Sequence, residues 1–324
     1  MDPSSPSCPS QYESLIGFNS LFIHQLTAEG SDLIESFGVC CHQFADDTQL
    51  FVAVNAADTA PTLDRLTRCS AVVQQWFLQN DLQLNAGKSD VILLGTAVQL
   101  RSAADVTTID IAGSSLPVAL KLKSLGVTID SHLHFDVHVR EVVKACNHHT
   151  RALRHVLPVL SDETAQMIAC SIVGSRLDYC NAILYGAPQS SLDKLQRAQN
   201  NLARVVSQRS RITDARPLLQ SLHWLPIRER ILYKTALLAF KTRLASSPPY
   251  LADLLKLRPP TRLLRSSDAP LLTVPRTQTA LATRAFSVAA PTVWNGLPSN
   301  VRSCNLLLTF RRHLKTHYFT VAYT

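Results

Sequence analysis

The spacing of apolar residues changes character near residue 135, and that change bounds the folds open to this chain. Upstream of it, "FGVCCHQF" and "TQLFVAV" alternate or run apolar on either side of "ADD", as two strands joined by a tight turn would. "DVILLG", "TTIDIAG" and "KSLGVTID" read as further short strands, rich in β-branched residues. One helix interrupts them. In "APTLDRLTRCSAVVQQWFLQN" the apolar residues recur at three- and four-residue spacing up to Trp76 and Phe77, with Asp58 or Thr59 as cap and "LNAGKS" as breaker.

Downstream the period is helical. "FDVHVREVVKACNHHTRALRHVL" carries one apolar stripe, and "SDETAQMIACSIVGSRLDYCNAILYG" opens on Ser161 as cap, with Asp162 and Glu163 in its first turn. "SLDKLQRAQNNLARVVS" is a third helix. In "LHWLPIRERILYKTALLAFKTRL" Pro226 suits the first helical position, where a missing N–H costs nothing. The stretch 258–283 is rich in Pro, Arg, Ser and Thr and shows little periodicity. A last amphipathic segment, "LLLTFRRHLKTHYF", sets Arg311, Arg312 and Lys315 beside its apolar face. Residues 1–20 are polar and Pro/Ser-rich, and 1–31 is expected to be poorly ordered. The expected class is α+β, with a strand-rich part followed by a helical one, and no internal repeat is visible.

At 324 residues and 46% apolar content, the chain has material for two or three cores. No apolar run reaches the roughly eighteen residues a membrane span needs, and "MDPSSPSCPSQYES" offers neither the basic nor the apolar region of a secretory signal. Eight cysteines are scattered without a CxxC pair, and adjacent Cys40 and Cys41 are ill placed to join each other. Reduced thiols in an intracellular protein, nuclear or cytoplasmic, are the expectation. The net charge of +8 hides a gradient. Residues 1–64 hold no Lys or Arg and nine acidic residues, whereas 201–324 hold nineteen basic and four acidic. Asymmetry on this scale points to a polyanion as partner of the C-terminal part, against the plainer reading of a solvated basic surface.

The pair Asp46–Asp47 stands inside this apolar β pattern. Two carboxylates a few ångströms apart repel by about 4 kcal/mol at an effective dielectric of about 20. A fold tolerates them if a turn exposes both, if one is protonated, or if a divalent cation neutralises the pair. Asp is a good turn residue, so spacing alone leaves the turn and metal readings open. The metal reading asks for strands that hold the carboxylates at a sheet edge and at least one further ligand, as in two-metal nucleotidyl transfer.

"QFADDTQLFV" resembles the [Y/F]-A-D-D motif on the palm hairpin of reverse transcriptases, above all those of non-LTR (LINE-type) retrotransposons. The likeness continues in order. "LNAGKSDVILLG" is similar to the next palm motif, and "LGVTIDSHLHFDVHV" to the hairpin that grips the primer strand. "SRLDYCNAILYG", "LQRAQNNLARVV" and "LHWLPIRERILYK" resemble the helical thumb and connecting region, and "VPRTQTALATRAFSVAAPTVWNGLPSNVR" the tail of the same reading frames. The resemblance spans roughly residues 32–319.

It implies a palm over 32–131, a helical thumb over 132–207 and a basic helical region over 208–324. It implies a Mg2+ cofactor and an RNA template with a DNA primer as partners, with no membrane and no obligate protein partner. Asp46 would be a direct magnesium ligand and Asp47 its weaker partner. Lys88 would stand near the incoming triphosphate as a general acid, although without the resemblance it reads as a loop lysine. Phe44 would pack the hairpin against the palm. Leu125, Gly126 and Val127 would contact the primer backbone, and Arg311, Arg312 and Lys315 would bind nucleic acid. Reverse transcriptases take a further essential aspartate from an earlier palm strand. Neither Asp2 nor Asp32 has that context, so the chain by itself is expected not to polymerise. The alternative is a non-catalytic, basic nucleic-acid-binding remnant.

Other constellations are weaker. His132, His134, His138, Cys146, His148 and His149 cluster in sequence, but zinc needs four converging ligands and no CxxC supports them. No GxSxG anchors a serine nucleophile, and "AGK" lacks the upstream glycine of a phosphate loop. Aromatic residues interleave with the C-terminal basic ones, as base-stacking surfaces require. Trp224 and Phe240 are nonetheless expected in helical cores, with the basic side chains snorkelling past them.

Overall fold

A computed structural model describes residues 14–19, 28–44, 47–81, 85–259 and 271–324. Their architecture is mixed α+β, and the chain divides into two compact units, one ending at Phe135 and one running Asp136–Thr324. The segments expected as thumb and C-terminal region thus share one unit.

The first unit is built on a six-stranded sheet in the order β2-β3-β1-β4-β6-β5. Its strands are β1 (Ser14–Asn19), β2 (Cys40–Phe44), β3 (Asp47–Val54), β4 (Asp90–Leu94), β5 (Thr108–Ile111) and β6 (Ser114–Ala119). Helix α1 (Ala28–Ser36) precedes β2, α2 (Ala60–Gln79) follows β3, and α3 (Ala97–Ser102) follows β4. Alternate residues of the strands feed one face: Leu50, Val52 and Val54 of β3, Val91 and Leu93 of β4, Ile109 and Ile111 of β5. Against them α2 lays Leu66, Cys69, Val73 and Phe77, the three- and four-residue stripe its spacing predicts. Ile34 of α1 and Val39 complete this core.

The sequence offers no strand before residue 32, yet Ser14–Asn19 pairs on both sides, antiparallel to β3 and to β4. "SLIGFN" is too short to show a period and carries a glycine, so its strand character comes from its two neighbours. Helix α3 is likewise absent from the apolar pattern. A capping box makes it: Thr96 Oγ1 accepts from the Gln99 amide while Gln99 Oε1 accepts from the Thr96 amide. Strands β7 (Lys121–Ser124) and β8 (Val127–Asp130) form a separate hairpin. Behind it the Asp130 carboxylate accepts from the amides of His132, His134 and Phe135 at 3.2, 3.0 and 2.6 Å, which turns the chain at the end of the unit.

The second unit is helical. Helix α4 (Asp136–Val156) matches its predicted stripe, and α5 (Asp162–Ile168) opens as expected, with Ser161 Oγ accepting from the Thr164 amide. The single helix expected over this second segment is broken. A π-turn at Ala169–Gly174 leads into α6 (Ser175–Asp178), and Cys180 then takes a left-handed φ of 50°. Next come α7 (Gln189–Val206), α8 (Ala215–Ser221), α9 (Ile227–Ala245) and α10 (Pro249–Ala252). Pro226 caps α9 rather than filling its first turn. Helices α11 (Phe286–Asn295), α12 (Ser299–Arg302) and α13 (Leu307–Tyr323) close the unit.

The aromatic core of this unit joins three helices. Phe310 stacks on Phe240 with centroids 4.1 Å apart and on Trp294 at 5.9 Å, while the Arg243 guanidinium lies 4.6 Å from the Trp294 ring centroid. Asn295 clamps the otherwise irregular Leu272 segment, donating to the Leu272 carbonyl and accepting from its amide. Among the described residues no helix is long and apolar enough to cross a membrane.

Two outcomes follow from this packing. Phe310→Ala should lower the unfolding free energy of the second unit by about 3–5 kcal/mol, read by denaturant titration followed by circular dichroism. The second concerns pH. Burial pushes the Cys69 and Cys146 thiols up from 9.0 to about 11, so the folded state favours their neutral forms. Stability from this source is full below pH 9 and lost as pH rises towards 11. Unfolding midpoints measured over that window should fall, and less steeply in a Cys69→Ala/Cys146→Ala variant.

Candidate functional site

The β2–β3 hairpin sets Phe44 opposite Asp47 in register. Asp46 lies outside the described residues, as does the Asp47 side chain, so only the backbone position of Asp47, at the start of β3, is known. Phe44 does not pack the hairpin down; it is 68% exposed. Register explains this. Cross-strand partners share a face, and Phe44 falls on the face away from Leu50, Val52 and Val54.

Lys88 ends a short 3-10 turn, Ala86–Lys88, and is exposed. Its place relative to the hairpin follows from the ladder. Gly17 of β1 stands opposite Phe51 on one side and Ile92 on the other. Asp47 and Lys88 precede Phe51 and Ile92 by the same number of residues. Strands β3 and β4 both begin towards the Asn19 end of β1, so the Asp47 position and the turn that carries Lys88 lie towards that end, on opposite flanks of β1.

The β7–β8 hairpin comes to that same neighbourhood. Gln49, two positions on from Asp47, donates from Nε2 to Ser124 Oγ, and Ser124 is buried. The turn beyond it is Leu125–Gly126, with φ of 45° and 79°. Two successive positive φ angles are what a type I′ turn requires. Glycine takes such an angle freely, whereas Leu125 pays about 1–2 kcal/mol in the left-handed region. Leu125 and Gly126 are exposed at the tip, whereas the Val127 side chain is buried. Lys121 and Lys123 are exposed between buried Leu122 and Ser124. Sequence reasoning missed Gln49, Ser124 and these two lysines; the period of two in "KLKS" was the available signal.

In the second unit, Arg311, Arg312 and Lys315 are exposed on α13 while Phe310, Leu314 and Tyr318 of the same helix are buried, as the amphipathic pattern predicts. Arg311 and Lys315 line a cavity of about 410 Å3. Trp224, Phe240, Trp294, Phe310 and Tyr318 are all buried, so none offers a face to a nucleic-acid base.

Among the described residues no three His, Cys, Asp or Glu side chains gather as a metal centre would need. Burial pushes the Cys146 thiol up to about 11, and His138, eight residues earlier on α4, is also buried. Asp32, which by its sequence lacks the context of the palm-strand aspartate, lies on α1. For Mg2+ the donor chemistry of Asp46 and Asp47 is suitable. That ion is bound through one or two carboxylates, keeping waters and substrate phosphates for its other positions.

No family model matches this chain, and comparisons with curated proteins and with solved structures likewise return no match.

The contact between the two hairpins can be weighed directly. In a double-mutant cycle, Gln49→Ala and Ser124→Ala should show a coupling of about 1 kcal/mol in unfolding free energy, and additivity would remove Gln49 as the link.

Proposed function

We propose that the chain is part of a non-LTR-type reverse transcriptase, with the unit ending at Phe135 as its palm and Asp46 and Asp47 as its magnesium ligands. One observation supports this best. The register of β1 with β3 and β4, together with the Gln49–Ser124 bond, gathers the Asp47 position, Lys88 and the Leu125–Gly126 tip at one end of the sheet. These are the three segments whose sequences resemble successive palm motifs. Asp46 and Asp47 would hold Mg2+, which supplies activation of a primer 3′-hydroxyl and charge neutralisation at the leaving pyrophosphate. Lys88 would protonate that leaving group. The exposed Lys121 and Lys123, both on the β7 strand that leads to the tip, would meet primer phosphates.

A second reading has its own support in the charge gradient: a basic nucleic-acid binder that does no chemistry. Among the described residues neither strand beside β3, β1 (Ser14–Asn19) or β2 (Cys40–Phe44), carries a carboxylate that could join Asp47 on an ion. We propose that the 324-residue polypeptide alone binds a primer–template without extending it.

Binding to an RNA–DNA primer–template duplex, followed by fluorescence anisotropy over a salt series, tests both. Affinity should fall linearly in log–log form, and Lys121→Gln/Lys123→Gln should make the slope shallower by about two. Asp47→Asn should not weaken binding, since that carboxylate repels phosphate. A salt-independent affinity would remove the nucleic-acid reading. Primer extension with Mg2+ and deoxynucleotides would overturn the non-extending one.

A further inference from the structure

The cavity beside α13 lies wholly within the Asp136–Thr324 unit, so it can be judged without reference to the hairpin site. Its volume, about 410 Å3, falls within the roughly 300–1,000 Å3 of small-molecule sites. Helices α9, α13 and α6, the π-turn, the 3-10 turn at Asn181–Leu184 and the segment 223–225 wall it. Helix α9 brings Arg230, Tyr233 and Lys234 at three- and four-residue spacing, α13 brings Arg311 and Lys315 one turn apart, and the π-turn brings Cys170 and Gly174. A π-turn inside a helix is a costly irregularity that recurs at functional sites.

The charge around this cavity is one-sided. Among the described residues Asp178 is its sole lining carboxylate, and Arg230 already holds it, with Nη1 2.8 and 2.7 Å from the two oxygens. Among the described residues, Lys234, Arg311 and Lys315 form no ion pair. Three like charges about one concavity repel one another and raise its affinity for an anion. A bare anion would leave a further group unserved. Asn181, also on the wall, is 4% exposed; its Nδ2 reaches Asp178 Oδ1 at 3.4 Å, and its Oδ1 has no partner. A buried acceptor without a donor is costly, and a ligand carrying an N–H or O–H group removes that cost.

We propose that this cavity binds a nucleotide. Its phosphate sits among Lys234, Arg311 and Lys315, and a donor of its base or sugar reaches Asn181 Oδ1. The same chemistry comes from a free mononucleotide or from the terminal nucleotide of a strand, and the inference does not depend on the palm reading.

Isothermal titration of the full chain decides it, with adenosine 5′-monophosphate, inorganic phosphate and a short 5′-phosphorylated oligodeoxynucleotide as probes. The mononucleotide should bind at least about tenfold tighter than phosphate, the factor one added hydrogen bond can supply. Arg311→Gln/Lys315→Gln should weaken the nucleotide about tenfold or more. Arg209→Gln/Arg211→Gln removes equal charge from exposed residues of the same unit and should change affinity less than about twofold. Asn181→Leu should abolish the preference over phosphate and leave phosphate affinity as it was. If Asn181→Leu does not fold, the preference of the unaltered chain decides the donor half, and the exposed Arg311 and Lys315 decide the anion half. An oligonucleotide tighter than the mononucleotide assigns the site to strand ends, and equal affinities assign it to free nucleotide. Equal losses in both double variants, or phosphate binding as well as nucleotide, would overturn the proposal.

Discussion

The backbone pairing of Ser14–Asn19 with two strands at once is the constraint on which the first unit rests. Strands β3 and β4 do not touch as neighbours; each finds its ladder in β1. Without that strand the sheet separates into a hairpin and a three-stranded piece, and each gains an open edge. The core of Leu50, Val52, Val54, Val91 and Leu93 then has no common platform for α2. The relation between the start of β3 and the turn before β4 disappears with it. What a site needs from a scaffold, fixed spacing between groups distant in sequence, is delivered here by six residues of backbone hydrogen bonding.

The second unit solves a different problem. Its interior is apolar and aromatic, with Phe310, Phe240 and Trp294 stacked among α9, α11 and α13. Its basic residues therefore gather at the surface. On α13 the division is by helical phase: Phe310, Leu314 and Tyr318 point in, Arg311 and Lys315 out. Arg243 crosses that boundary. Its guanidinium lies against the Trp294 ring, and burial lowers its pKa, so the ring's electron-rich face offsets part of the lost hydration.

Much of this was legible from the chain. The change of period near residue 135 marks the division between units, the stripe of α2 and the Ser161 cap lie where spacing places them, and Trp224 and Phe240 are buried. What escaped was decided by long-range partners. β1 has no period of its own, α11 contains Pro291 yet forms because Val288, Ala289, Val293 and Trp294 are buried together, and the break at Cys180 needs a left-handed residue no motif announces. The site shows the same split. "KSLGVTID" reads as one strand from its β-branched residues, yet the positive φ angles of Leu125 and Gly126 fold it into the β7–β8 hairpin. The link from Gln49 to Ser124 joins residues 75 apart, a contact that no local pattern encodes.

The two candidate sites also differ in how their charge is balanced, and this bears on what each can bind. At the proposed hairpin site the Asp46–Asp47 carboxylates would attract cations, and exposed Lys121 and Lys123 stand on the separate β7–β8 hairpin, so a phosphodiester and a metal ion would each find an opposite charge. At the cavity, one carboxylate is already committed to Arg230 while Lys234, Arg311 and Lys315 remain unbalanced. Folding is only marginally stable, so a repulsive cluster is a burden unless something relieves it. Simple counterions would relieve it at an open surface. At a concavity that also contains a buried, unpartnered acceptor, neutralising the charge still leaves Asn181 Oδ1 in need of an N–H or O–H donor. The group that satisfies both halves carries negative charge at one end and an N–H or O–H at the other.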